Sequence, residues 1–213
     1  MFQIPELRYD AVLFDWNGTL VDDITRALDA ANVTLASLGR PPLPGIGHFR
    51  STFRLPLVEW FRHLGVPTDR LQLAADRWNT EMASRPASLR SGARSLLEAL
   101  KAAGVSTGVV SAASRAAVAA DAVRLGVAEL LGHLDTDASN KRDAIRSAMA
   151  ATGTHRVAYV GDTEYDMVEA VLAGADPIGL AGGYRPADAL RTAGAQYVCD
   201  DLHEVGQLVL RPT

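Results

Sequence analysis

An α/β fold is what this sequence predicts: a doubly wound parallel sheet with a small α-helical insert after the first strand. Three observations carry that prediction. Short apolar runs alternate with amphipathic helical segments, as they do where helices cover both faces of a parallel sheet. A glycine stands just past the helical segments, where a chain leaving a helix adopts a positive φ. And one stretch of about sixty residues, Asp22 to Arg85, carries helical patterns only.

The elements follow in order. Ala11–Phe14 is the first buried strand, ending on Asp15 and a Gly-Thr pair. A helix is expected from Asp23 to Leu38, stopped by Gly39. The Pro- and Gly-rich connection GRPPLPGIG follows it. A second insert helix begins with Pro56 in its first turn, buries Leu57, Trp60, Phe61 and Leu64, and stops at Gly65. A third runs from Asp69 to Ser84, with Leu71, Ala75, Trp78 and Met82 on one face. Strand and helix then alternate again. Leu96, Leu97 and Leu100 lead to Gly104, before the strand Val105–Val110. Val118, Ala122 and Leu125 lead to Gly126, and Val157–Val160 is the third strand. Met167, Val168, Val171 and Leu172 form the apolar face of a helix ending at Gly174. Pro177–Leu180 and a weaker run, Gln196–Cys199, complete a five-strand reading. The expected division is a core of residues 1–21 and 86–213 and a helical insert of residues 22–85.

Composition narrows the function. Of 213 residues, 48% are hydrophobic and 22% charged, which suits one folded domain with an insert and excludes disorder. The net charge of -4 offers no basic field for nucleic acid or anionic membrane. A single cysteine, Cys199, rules out an internal disulfide framework and a multi-cysteine zinc site, and fits a reducing cytoplasm. The opening MFQIPELRYD shows neither part of a signal peptide, and no apolar run has transmembrane length. A cytoplasmic protein, monomeric or homodimeric, is the expectation.

Ligands of an open parallel sheet bind beyond the carboxyl ends of its strands. Asp15, Ser111 and Asp162 end successive strands, so they converge on one rim, and Asp166 lies one helical turn beyond Asp162. Three aspartates there need a compensating charge. A hard dication with oxygen ligands suits them, and Mg²⁺ fits best. Lys141, one of only two lysines, stands at a predicted helix start and offers a second positive charge. An anionic, oxygen-rich substrate such as a phosphate ester matches this group.

These residues resemble the haloacid dehalogenase-like superfamily of phosphohydrolases, phosphoglycolate phosphatase-like members with a small helical cap in particular. DWNGT stands as the first motif, VVSAAS as the second, Lys141 as the third and GDTEYD as the fourth, in order over nearly the whole chain. The resemblance implies Asp15 as nucleophile, forming an aspartyl-phosphate that water hydrolyses. It implies Mg²⁺ between Asp15, the backbone carbonyl of Asn17 and Asp162, with Asp166 in support. Ser111, Ala112 and Lys141 hold the phosphoryl group, helped by N–H groups of the Trp16–Gly18 loop. The substrate implied is a small phosphorylated metabolite.

Two relatives within the superfamily fit poorly. Haloacid dehalogenases lack the fourth-motif carboxylates that Asp162 and Asp166 supply. Phosphonoacetaldehyde hydrolases need a cap lysine, and residues 22–85 contain none. The chain departs from the family at Asn17, where an acid/base aspartate is usual. An amide keeps the size and the carbonyl but exchanges no proton; Asp22 or Asp23 is a candidate substitute. Arg50 and Arg54, near His48 in GIGHFRSTFR, share a face if that stretch is helical. There they clamp a second anionic group on the substrate, or else line a solvated or salt-bridging face. The alternative to an active phosphatase is a weak or inactive phosphometabolite-binding protein.

Overall fold

The computed structural model describes residues 7–136 and 140–212. The N-terminal stretch read for a leader therefore lies outside the described residues as far as Glu6. The order is β1 (Ala11–Phe14), β2 (Val21–Asp22), α1 (Ile24–Ser37), α2 (Ile46–Thr52), α3 (Leu57–His63), α4 (Leu71–Ser84) and β3 (Ser88–Leu89). Then come α5 (Ala93–Ala102), β4 (Ser106–Val110), α6 (Arg115–Arg124), β5 (His133–Asp135), α7 (Lys141–Thr152) and β6 (Val157–Gly161). The chain closes with α8 (Glu164–Ala173), β7 (Asp176–Leu180), α9 (Ala187–Thr192), β8 (Tyr197–Cys199) and α10 (Leu202–Val209).

Among the described residues the main sheet has six strands in the order β5-β4-β1-β6-β7-β8, every pairing parallel. β1 lies between β4 and β6, and its alternate residues pack into two separate cores, Val12 and Phe14 in one and Ala11 and Leu13 in the other, so all four are buried. That explains the continuous apolar run, which a strand solvated on one face would not need. Asp15 is the first residue past this buried strand, and its N–H still donates to Val160 O at 2.9 Å. The sheet thus fixes the height of the carboxylate at the rim.

The sheet has one strand more than the five expected. β5, His133–Asp135, is half-buried and polar, and its neighbour in the sheet is β4 alone. An edge strand needs no apolar run, so hydrophobic pattern could not disclose it. The apolar face expected on α8 is also corrected. Met167 and Ala170 are buried, but Val168, Val171 and Leu172 are exposed. The helix is rotated by its start, where Thr163 and Asp166 form a capping box that buries the Asp166 side instead.

α1 to α4 form a block with a core of its own. Phe49, Phe53, Trp60, Phe61 and Trp78 pack with Leu35, Leu71 and Met82. Ring contacts are dense: Phe49 stacks on Phe53 at 5.0 Å and meets Trp60 edge-on at 5.1 Å. The chain enters and leaves this block through an antiparallel pair, Val21 opposite Leu89 and Asp22 opposite Ser88. Tyr184, from the loop after β7, inserts into the same cluster at 4.9 Å from Phe53. A cavity of about 520 Å³ opens between the block and the sheet rim.

Candidate active site

The rim brings Asp15, Lys141, Asp162 and Asp166 together. One oxygen from each carboxylate lies within 4.8 Å of the others, and all three side chains are buried. Lys141 is the first residue of α7, placed by Asn140, whose side chain caps the helix by accepting from Asp143 N. Its ammonium stands 3.3 Å from Asp15 Oδ2 and 2.5 Å from Asp166 Oδ1. Burial opposes the charge on Lys141, but Asp15 and Asp166 outweigh it and hold the ammonium protonated beyond its ordinary range.

One cation cannot balance three carboxylates. Burial, followed by the charge of Asp166, raises the Asp15 carboxyl to about 6 despite Lys141, Ser111 and the Trp16 N–H. Burial together with Asp166 and Asp15 pushes Asp162 well above the usual carboxylate range. The site therefore gathers more carboxylate oxygens than its one cation can keep ionised, which fits a hard dication. Its walls leave room for little else: a Cβ on Gly18, which has φ +73°, or on Gly183 would collide with the Asp162 carboxylate.

Each carboxylate is also held in place. Asp15 Oδ1 accepts from Trp16 N at 2.8 Å. Asp162 accepts from Thr19 Oγ1 at 2.9 Å and from Tyr184 N at 2.7 Å. Asp166 takes Thr163 N at 3.0 Å, Thr163 Oγ1 at 2.6 Å and Tyr159 OH at 3.3 Å, besides Lys141. With both oxygens so engaged, Asp166 orders Lys141 and the start of α8. Ser111 follows β4, with its N–H on Asp135 O at 3.0 Å, and it lines the cavity with Ala112.

A second polar group lies on the other side of the Asp15 loop. Asp23 is buried and accepts four donors: Asn17 Nδ2 at 2.5 Å, Gly18 N at 3.0 Å, Arg26 at 2.6 Å and Tyr184 OH at 3.0 Å. Arg26 also meets Asp121 at 3.4 Å and Arg85 O at 2.9 Å. Because an ionised carboxylate only accepts, the Asn17 amide nitrogen must face Asp23. Asn17 is thereby locked, with its amide oxygen left as the free end.

A family model for haloacid dehalogenase-like hydrolases matches residues 12–180, from the first buried strand to the end of β7. The chain belongs to that family. The fold of this hydrolase is that of several solved structures. A "predicted phosphatase" from Clostridium acetobutylicum superposes with TM-score 0.83 at 21% identity, covering 93% of this chain and 97% of that one. CbbY from Rhodobacter sphaeroides, in complex with phosphate, gives 0.71 at 24% identity over 93% and 96%. A family hydrolase from Deinococcus radiodurans with bound phosphate and sodium gives 0.70 at 24% over 98% and 100%. Among curated proteins no significant match is found.

The structure of this hydrolase separates the expected site residues into two sets. Asp15, Asn17, Ser111, Ala112 and Lys141 line the cavity, and Asp162 and Asp166 lie beside Asp15. Arg50 and Arg54 do not line it. α2 ends at Thr52, so the two arginines share no helical face. Arg50 donates to Gly183 O at 3.0 Å and Gly182 O at 2.9 Å, bracing the helical block to the loop after β7. Arg54 is exposed and reaches back to Thr52 O at 3.3 Å. His48 is exposed as well. The Gly18 N–H is spent on Asp23, so it is not available to a phosphate.

Arg26, Thr19 and Tyr184 were not legible as site residues, and Asp23 was expected only as a substitute for the acid/base group. Asp23, expected as the first residue of the helix, stands at the cap position before α1, yet its side chain makes no cap bond and turns back to the Asp15 loop. An arginine three residues later was the one available signal. Asp22, the other proposed substitute for an acid/base group, is exposed in the two-strand ribbon.

Proposed function

We propose that this hydrolase is a Mg²⁺-dependent phosphatase that moves the phosphoryl group of a small phosphorylated metabolite to Asp15 and then to water. One observation carries the reading: a buried carboxylate, a hydroxyl and a buried ammonium meet on one cavity floor, beside two more buried carboxylates. The phosphate found in the Rhodobacter and Deinococcus structures supports phosphate as the bound group.

In this reading Asp15 Oδ forms a bond to phosphorus while the bond to the leaving oxygen breaks. Lys141 and Ser111, both buried on the cavity floor, take the charge on the remaining phosphoryl oxygens. Water then adds to phosphorus and releases the Asp15 carboxylate. Asp15, the Asn17 carbonyl and Asp162 would hold Mg²⁺, with Asp166 behind them. When bound, the ion supplies positive charge to the carboxylates and to the phosphoryl oxygens. Residues 22–85 act as a cap over the cavity, and residues 1–21 and 86–213 as the core. Among the described residues no helix is long and apolar enough to cross a membrane.

The second reading is a phosphometabolite-binding protein with negligible turnover. Asn17 favours it, because an amide in place of an acid/base group typically costs about 10²–10⁴ in rate. One assay decides between the two: Mg²⁺-dependent phosphate release from acetyl phosphate and p-nitrophenyl phosphate. Wild-type turnover should exceed that of Asp15→Asn by at least about 10³-fold. Release no faster than the Asp15→Asn background sinks the enzyme reading.

A further inference from the structure

The cavity over Asp15 has a charged floor and an apolar wall. Leu57, Val58, Trp78 and Met82 from α3 and α4 face it, with Phe53 beside them. Its volume of about 520 Å³ lies in the range of pockets that enclose a ring-sized organic group. Among its lining residues the cations are Lys141 and Arg26 alone. Lys141 is committed to Asp15 and Asp166, and Arg26 to Asp23 and Asp121. The two arginines that could have clamped a second anion, Arg50 and Arg54, lie outside it. A carboxylate on the substrate would thus be desolvated against the apolar part of this wall with no free cation to pair it, at a substantial cost.

Asn17 points the same way on separate grounds. Its nitrogen is held by Asp23, so the group it offers beside the nucleophile is an acceptor. Asp23 cannot protonate a leaving oxygen in its place, being fully buried behind Asn17 with four donors already on it. A leaving oxygen must then depart without an acid, which favours weakly basic ones.

On the strength of the phosphatase reading above, we infer that the preferred substrate is a phosphomonoester of an uncharged, apolar, ring-sized group that leaves through an aryl or enol oxygen. Asp15 Oδ bonds to phosphorus, the bond from phosphorus to the aryl oxygen breaks, and the oxygen keeps the electron pair. It takes its proton from water. A second water then adds to phosphorus and frees Asp15, so the net change is hydrolysis to the phenol or enol and inorganic phosphate.

The test is steady-state phosphate release by the full chain with Mg²⁺ on four esters and acetyl phosphate. Phenyl phosphate should exceed 4-carboxyphenyl phosphate in kcat/KM by about tenfold or more, since an unpaired carboxylate costs at least about 1.4 kcal/mol. It should exceed benzyl phosphate, the same ring with a basic leaving oxygen, by about 10²-fold in kcat. Phosphoglycolate, with both handicaps, should be the slowest. Asn79 is exposed at the rim of the cavity, and Asn79→Arg places a cation on the wall; it should narrow the gap between phenyl and 4-carboxyphenyl phosphate. If 4-carboxyphenyl phosphate or phosphoglycolate matches phenyl phosphate, the inference falls. Asp15-dependent release from acetyl phosphate with none from phenyl phosphate overturns the inference and leaves the phosphatase reading standing. No Asp15-dependent release from any compound overturns both.

Discussion

Two buried polar groups flank the loop from Asp15 to Gly18, and they are built to opposite balances. On one side three carboxylates share a single ammonium, Lys141, and two of them are pushed up in pKa by burial and mutual repulsion. On the other side one carboxylate, Asp23, meets one guanidinium, Arg26, and every lone pair has a donor. The first group is incomplete without a further cation; the second already has a cation on its carboxylate, and of its polar atoms Arg26 Nε is left without a partner. Burial alone therefore does not mark a chemical site. Uncompensated burial does, because only a group left out of balance gains by binding something.

The largest test of that contrast removes one partner from each group. Lys141→Met leaves three buried carboxylates without their cation, and Asp23→Ala leaves Arg26 with the Arg85 carbonyl and a longer contact to Asp121. Each should cost roughly 3–5 kcal/mol in chemical denaturation with chelator present. Added Mg²⁺ should recover much of the Lys141→Met deficit and none of the Asp23→Ala deficit. Equal recovery in both variants would break the comparison.

A smaller effect comes from moving a charge between the groups. Asn17→Asp places a carboxyl against Asp23 where an amide now donates, and two such carboxyls hold one proton between them. That proton is the general acid the wild type lacks. Turnover of benzyl phosphate should rise by about 10²-fold, with little change for phenyl phosphate. An unchanged benzyl rate would mean that another group already protonates the leaving oxygen.

The charge imbalance also predicts a pH dependence. Burial, reinforced by Asp166, holds the Asp15 carboxyl at about 6, above the 3.8 of an unstrained aspartate. The folded protein therefore binds this proton more tightly than the unfolded chain. Its contribution to stability is fully present below about pH 4 and is lost as pH rises through about 6. In chelator, Asp15→Asn should gain on the wild type by on the order of 2 kcal/mol between pH 4 and pH 7. A stability difference that does not vary with pH would contradict it.

The smallest test is on the balanced side. Tyr184→Phe removes one donor from Asp23 and keeps the ring against Phe49 and Phe53. A loss of about 1 kcal/mol is expected, with phosphate release from acetyl phosphate close to wild type. A loss of activity larger than the loss of stability would show that Asp23 is tied to the chemistry through Tyr184.

Much of the site was legible because it depends on short stretches of chain. An apolar run that ends on Asp15, another that ends at Ser111 and a third leading to Asp162 needed only the rule that parallel strands end on one rim. Lys141 stood out by the scarcity of lysine, and Asp166 by its spacing from Asp162. The polar edge strand β5 and the outward turn of Val168, Val171 and Leu172 were not legible. Both are set by what packs alongside, not by local pattern.

The sequence by itself determined the α/β sheet, the helical insert, the rim residues and the amide at position 17. Only the tertiary structure decided what surrounds that amide. Tyr184 reaches Asp23 across 161 positions of chain, and Arg50 is drawn to the carbonyls of Gly182 and Gly183 across 132 and 133. Local periodicity carries no information about such distant partners. Whether an arginine clamps a substrate or braces a loop, and whether an aspartate caps a helix or locks an asparagine, depends on which acceptors and donors folding brings within about 3 Å.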